Sequence, residues 1–268
     1  MLVHLDFAEN YTCIQQNAPQ GTYFAAPQVT VHTACIYYRT SDTSEPVLIN
    51  TIVFSQIVKH DSAMVYAVQR KLVNFVKERF KTLKEIIYLS DGCAAQYKNK
   101  TNFKNLCMHL KDYGLKAQWH FYPTAHGKGP VDGIGAKIKR AATTVSIRNT
   151  RIIYSAEEMY NWAKELKSND GNWKKWEFFI VNQVDIEDVT SIINERTTDL
   201  VTIQGTKAYH SFIPEDTDNI KVSDFSLQTT YKTVCLHRKQ RHSSASESKK
   251  AHNLSSTSDR NLRKKPKL

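Results

Sequence analysis

The sequence predicts an α/β fold, a mixed sheet whose elements follow in the order β-β-β-α-β-α-β-α. Two observations predict it. Three segments rich in β-branched and aromatic residues come first, divided by polar turn chemistry. After them, short apolar runs alternate with stretches of helical periodicity, as βα crossovers require.

Taken in order, Leu2 to Leu5 is a short apolar run leading into Asp6, and it reads as a buried strand that ends in an acid. Val29 to Tyr38 and Val47 to Val58 are the next two strands, with Thr40 to Pro46 as the turn between them. Asp61 offers an N-cap, and Val65, Val68, Leu72, Phe75, Val76 and Phe80 recur at helical spacing, so a helix is expected over His60 to Phe80. Glu85 to Leu89 is a buried strand closed by Ser90-Asp91-Gly92. Ala94 to Tyr113 is a second helix, stopped by Gly114. Gln118 to Tyr122 is the fifth strand, with Trp119 facing the core, and a third helix runs from about Val131 to Ala142. The core is thus expected to span residues 1–153.

Residues 154–236 read as a small appended α+β subdomain. Helices are expected over Ala156 to Leu166 and Ile186 to Arg196, and Trp173, Trp176, Phe178 and Phe179 serve as core rather than as a binding platform. In residues 237–268, Ser, Lys and Arg dominate and apolar residues thin out, so this stretch reads as a disordered basic tail.

Composition narrows the function classes. Of the 268 residues, 41% are hydrophobic, enough for a substantial core. No run of about 18 apolar residues occurs, so no membrane span is expected, and Met1 to Phe7 lacks the pattern of a signal peptide. The five cysteines are odd in number and form no CxxC pair. That argues against a disulfide framework or a cysteine zinc site and fits a reducing compartment. The formal net charge of +11 suggests an acidic partner such as nucleic acid. The tail holds ten Lys/Arg against Glu247 and Asp259, so +8 of that charge lies outside the expected fold. Arg263-Lys-Lys-Pro-Lys267 has the composition of a nuclear import signal.

Three acids stand out by position. Asp6 ends the first strand, Asp91 ends the fourth, and Asp132 starts the helix after the fifth. A sheet of this order sets strands one and four side by side, and the third helix can carry Asp132 over the same edge. Carboxylates are the hard ligands that Mg²⁺ or Mn²⁺ prefers, and two such ions can serve phosphodiester chemistry. From Gly92 to Lys111 there is no acid, and from Tyr113 to Ala156 the only acid is Asp132. Lys98, Lys100, Lys137, Lys139 and Arg140 crowd the same stretch, as a phosphate-binding surface would need. For Asp132 a helix-start acid is the equal alternative, and for Asp91 an Asp-Gly turn is.

Asp6-Phe-Ala-Glu-Asn10, Ser90-Asp91-Gly92-Cys-Ala-Ala-Gln96-Tyr-Lys-Asn99 and His126-Gly-Lys-Gly-Pro-Val-Asp132-Gly-Ile-Gly135, followed by Lys139-Arg140, resemble the conserved blocks of transposon-derived DDE/D transposases. The resemblance covers about Leu2 to Arg151. It implies the RNase H-like fold of the transposase and retroviral integrase superfamily. It assigns Asp6, Asp91 and Asp132 as the catalytic triad, holding two Mg²⁺ or Mn²⁺ ions for cleavage or strand transfer on DNA, either transposon ends or target. A nuclear location is expected from the Arg263–Lys267 run, and an oligomer is possible. The third acid, often Glu in that superfamily, can here only be Asp, and the sequence starts too close to Asp6 for a preceding DNA-binding domain. A truncated or domesticated relative is therefore expected. The alternatives are a catalytically silent DNA-binding protein and an RNase H-like nuclease.

Other residues are candidates of lower rank. His126 and Lys128, in the loop before Asp132, could contact a phosphate, or His126 could simply structure the loop. That loop has no GxxxxGK[ST] spacing and is not a nucleotide P-loop. Glu9 could assist a metal or be solvated. Gln96 and Asn99 could orient substrate or cap the second helix. His4 lacks the partner set of a zinc ligand.

Overall fold

The computed structural model describes residues 1–14, 26–41, 43–123, 129–226 and 228–238. Three antiparallel strands open the fold: β1 (Leu2–Thr12), β2 (Gln28–Tyr38) and β3 (Val47–Ser55). Helix α1 (Ser62–Arg79) follows, with the Asp61 carboxylate accepting from the Ala63 and Met64 N–H groups. Next come β4 (Glu85–Ser90), α2 (Lys100–Tyr113), β5 (Lys116–Phe121) and α3 (Pro130–Ile147). β4 runs parallel to both β1 and β5, so these five strands lie in the order β3-β2-β1-β4-β5.

Two boundaries differ from expectation, each for a local reason. β1 does not end at Asp6 but continues to Thr12, because its ladder with β2 runs on past the point where its pairing with β4 stops at His4. α2 begins at Lys100 rather than near Ala94. The Asn99 side chain accepts from the Asn102 N–H at 3.0 Å and so fixes the first turn there, which leaves residues 94–99 as a tight turn.

The region expected as an appendage is built into the same sheet. After α4 (Ala156–Asn169), β6 (Trp176–Val181) pairs parallel to β3 at one edge. After α5 (Gln183–Arg196), β7 (Ser211–Pro214), β8 (Asn219–Ser223) and β9 (Lys232–Cys235) extend the other edge beyond β5. Among the described residues the sheet thus has nine strands, and Met1–Arg238 is one compact unit. The physical reason is that β3 and β5 would otherwise present unpaired edges, and the later chain supplies the missing partners. The tail beyond Arg238 lies outside the described residues.

Two cores result. Val3, Leu5, Ile36 and Val53 face α1, α2 and α5, while Val31, Cys35, Ile52 and Phe54 face α3 and α4. Trp173, Trp176 and Phe178 join the second core, and Phe179 turns to the opposite face to pack on Phe75. Trp119 is buried, its indole N–H donating to Ser90 Oγ at 3.0 Å. On the first face, the Arg196 guanidinium meets both oxygens of Asp112, at 2.7 and 2.8 Å, and the Tyr66 hydroxyl, which ties α1, α2 and α5 together. The five cysteines are free thiols. No helix among the described residues is long and apolar enough to cross a membrane.

Candidate active site

Side chains alternate along a strand. On β1 the odd-numbered Val3, Leu5 and Phe7 pack on the α1 and α2 side, so His4, Asp6 and Ala8 point to the side that α3 covers. The parallel ladder of β1 with β4 pairs His4 with Leu89. The same register carried two residues further sets Asp6 level with Asp91, where β4 has just ended.

Asp132 is the third residue of α3 and reaches this edge because two glycines let the helix come close. A Cβ on Gly129 would stand 2.6 Å from His4 Cε1. One on Gly135 would stand 2.9 Å from Ala8 Cβ and 3.3 Å from Thr33 Cγ2. Those separations leave no room for a side chain. Each glycine lies three residues from Asp132, so the close approach of the helix is centred on that acid.

The three acids interact. The Asp6 carboxyl is pushed up to about 7, first by burial, then by the neighbouring Asp132 and Asp91, and it lies within hydrogen-bonding reach of Asp132. Two of the acids are also anchored to nearby backbone. Asp91 Oδ1 accepts from the Cys93 N–H at 3.1 Å, and Asp132 Oδ2 from the Gly129 N–H at 2.8 Å. Both structural alternatives for Asp91 and Asp132 are therefore present in the molecule, an Asx turn and a helix-start cap. They do not exclude a second role, since a carboxylate has about four acceptor positions.

The basic residues divide into two groups. Lys98 is buried, its Nζ donating to the Lys207 carbonyl at 3.2 Å, and Lys100 donates to the Leu200 carbonyl at 3.0 Å. Lys139 donates to the Glu9 carbonyl at 2.9 Å. Lys137 and Arg140 are exposed on α3, and the Lys137 ammonium sits 4.6 Å from the Trp173 ring centroid and 5.1 Å from that of Trp176. His126 and Lys128 lie outside the described residues. Asn99 caps α2, the Gln96 carbonyl accepts from the Asn102 amide at 2.6 Å, and Glu9 is exposed on β1.

Some neighbours of the site escape a sequence reading. His4 is buried under Gly129 with its ring edge-on to Tyr122 at 5.2 Å; burial lowers its pKa, against the pull of Asp132. Tyr97 is buried behind the site, its hydroxyl 3.0 Å from His32 Nε2. Residues 202–210 form the far wall of a cleft of about 790 Å³ that opens beside Asp91. They lie more than a hundred positions from Asp91 in sequence, and nothing in their composition signals that placement.

Among the described residues, no group of three or more His, Cys, Asp or Glu side chains is close enough to hold a metal ion as it stands. The donor chemistry nevertheless suits a divalent cation. Carboxylates are hard oxygen donors, and burial, with the nearby charges of Asp132 and Asp91, raises the Asp6 carboxyl toward neutral pH.

Residues 1–226 match the family described as Domain of unknown function (DUF8701). The chain belongs to that family. No curated protein and no solved structure matches it significantly.

Proposed function

We propose that this chain is a transposase-like catalytic domain of RNase H-like fold, acting on DNA by metal-dependent phosphodiester cleavage or strand transfer. The observation that carries the reading is the electrostatic coupling of Asp6 to Asp132 and Asp91, from three separate elements, which with burial pushes the Asp6 carboxyl up to about 7. The strand order β3-β2-β1-β4-β5, with only the first three strands antiparallel, supports the fold assignment. Of the basic residues, the exposed Lys137 and Arg140 suit contact with a DNA backbone best.

Asp6, Asp91 and Asp132 would hold Mg²⁺ or Mn²⁺. When bound, such ions activate an attacking oxygen and stabilise a leaving one. The chain's own contribution is orientation. Backbone N–H groups fix one oxygen of Asp91 and one of Asp132, so both carboxylates are turned before a substrate arrives. We further propose a nuclear location, on the basic Arg263–Lys267 run. The test is a supercoiled-plasmid nicking assay with Mg²⁺ or Mn²⁺, for the wild type and for Asp6→Asn, Asp91→Asn and Asp132→Asn. Nicking by the wild type and by none of the variants supports the enzyme. Equal nicking by all four, or salt-sensitive DNA binding without nicking, overturns it, and the second outcome points to a silent DNA-binding protein.

A further inference from the structure

Two lysines at the start of α2 are buried, and their surroundings differ. Lys104 donates to the Thr217 carbonyl at 2.8 Å and to the Asp218 carboxylate at 2.5 Å, so its charge is paired. Lys98 is only 8% exposed, yet among the described residues it has no ion pair. Its ammonium carries three donors. One meets the Lys207 carbonyl at 3.2 Å, and the group also lies 5.4 Å from the Phe121 ring centroid. A buried cation without an anion is unfavourable, and burial indeed lowers the Lys98 pKa.

This lysine lines the cleft beside Asp91. The cleft runs between the turn that follows Asp91 and residues 202–210, and Phe103, Tyr122, Pro123 and Ile203 give it an apolar wall. Thr202, Thr206 and His210 supply polar groups around it. Its volume of about 790 Å³ falls in the range of about 300–1,000 Å³ usual for small-molecule sites. An anionic group and a flat apolar group, joined and small enough for this space, are what the lining asks for. A nucleoside phosphate has both.

We propose that this cleft is a subsite for one unpaired nucleotide of a bound DNA strand, its phosphate on Lys98 and its base against Phe103, Tyr122 and Ile203. The position beside Asp91 sets that nucleotide next to the phosphodiester to be cut, and in this the proposal rests on the catalytic reading above. The nucleotide site itself needs no metal.

The test is an NMR titration of the full chain in EDTA. The probes are thymidine 5′-monophosphate, deoxyribose 5-phosphate and a short single-stranded oligothymidylate. The mononucleotide is expected to shift the amide signals of Cys93, Lys100, Thr202 and Thr206. It should bind about tenfold more tightly than deoxyribose 5-phosphate, because a stacked base contributes about that much or more, and the oligonucleotide should compete for the same signals. Lys98→Met keeps the apolar stem and removes the charge, so it should weaken the mononucleotide about tenfold or more. Thr202→Trp, at an exposed position on the wall, should block the cleft. Both variants should remain folded, which the dispersion of their amide signals checks. Equal binding of the two small probes, unchanged affinity in folded Lys98→Met and Thr202→Trp, or failure of the oligonucleotide to compete would each overturn the proposal. Plasmid nicking separates the two claims. Triad-dependent nicking without nucleotide binding sinks the subsite alone, and nucleotide binding without nicking sinks the catalytic reading alone.

Discussion

The α2 and α3 sides of the carboxylate site draw on one basic stretch of sequence and use it in opposite ways. On the α2 side, Lys98, Lys100 and Lys104 turn inward and bond to carbonyls of residues 200–217, which holds the late strands against the early ones. On the α3 side, Lys137 and Arg140 stay in solvent, with Lys137 steadied over Trp173 and Trp176. Charge density along a sequence therefore does not say whether a lysine binds a ligand or the rest of its own chain. Burial and partners decide it.

Between the two sides, substitution of the acids carries the largest expected effect. Each of Asp6→Asn, Asp91→Asn and Asp132→Asn should lower plasmid nicking by about a thousandfold or more, since loss of electrostatic stabilisation at a reacting phosphate costs several kcal/mol. DNA affinity, measured beside it, should hold or rise slightly because each change removes a negative charge. A uniform loss of binding would instead mean that the acids shape the surface rather than the chemistry.

On the α2 side the effect should appear as stability. Lys104→Ala strands the Thr217 carbonyl and the half-exposed Asp218 carboxylate. It should cost about 2 kcal/mol and lower Tm by roughly 4–8 °C, with the salt dependence of DNA binding unchanged. A variant that melts normally but binds DNA poorly would move Lys104 into the ligand-binding group.

The pH dependence comes next in size. The Asp6 carboxyl is raised from 3.8 to about 7 in the folded chain, so the native state keeps a proton that the unfolded state has released. Stability should therefore fall as pH rises from about 4 to 7 and stay lowered above that. Asp6→Asn should remove this fall. At pH 8 and without divalent ions it should stabilise by about 1–2 kcal/mol, discounted for the partial exposure of Asp6, and at pH 4 by close to nothing. Thermal melts at the two pH values check this, and a gain of equal size at both would show that repulsion among the acids is not the cause.

On the α3 side the change should be smallest. Lys137→Gln and Arg140→Gln should leave Tm within about 1 °C, weaken DNA binding a fewfold, and reduce the slope of log K against log salt by about one each. A melting temperature that drops with Lys137→Gln would show that its contact with Trp173 and Trp176 serves packing rather than DNA.

How much was legible in the sequence follows the same division. Local signals carried the early strands, the Asp61 cap and α1, because apolar period and capping chemistry act within a few residues. They failed where distant chain competes. The length of β1 past Asp6 depends on β2, and the sequence of β6 through β9 gives no hint of which sheet edge each strand will join.

The sequence by itself determined the α/β class, the identity and chain order of the three acids, and the glycines on either side of Asp132. Each follows from residue type and short-range spacing. Only the tertiary structure decided that Asp6 is coupled to Asp91 and Asp132, that strands from residues 154–236 join the same sheet, and that, among the described residues, Lys104 finds a carboxylate while Lys98 does not. The reason is physical. Pairing of strand edges and of buried charges is set by groups up to more than a hundred residues apart, and no local pattern records which of them will close the gap.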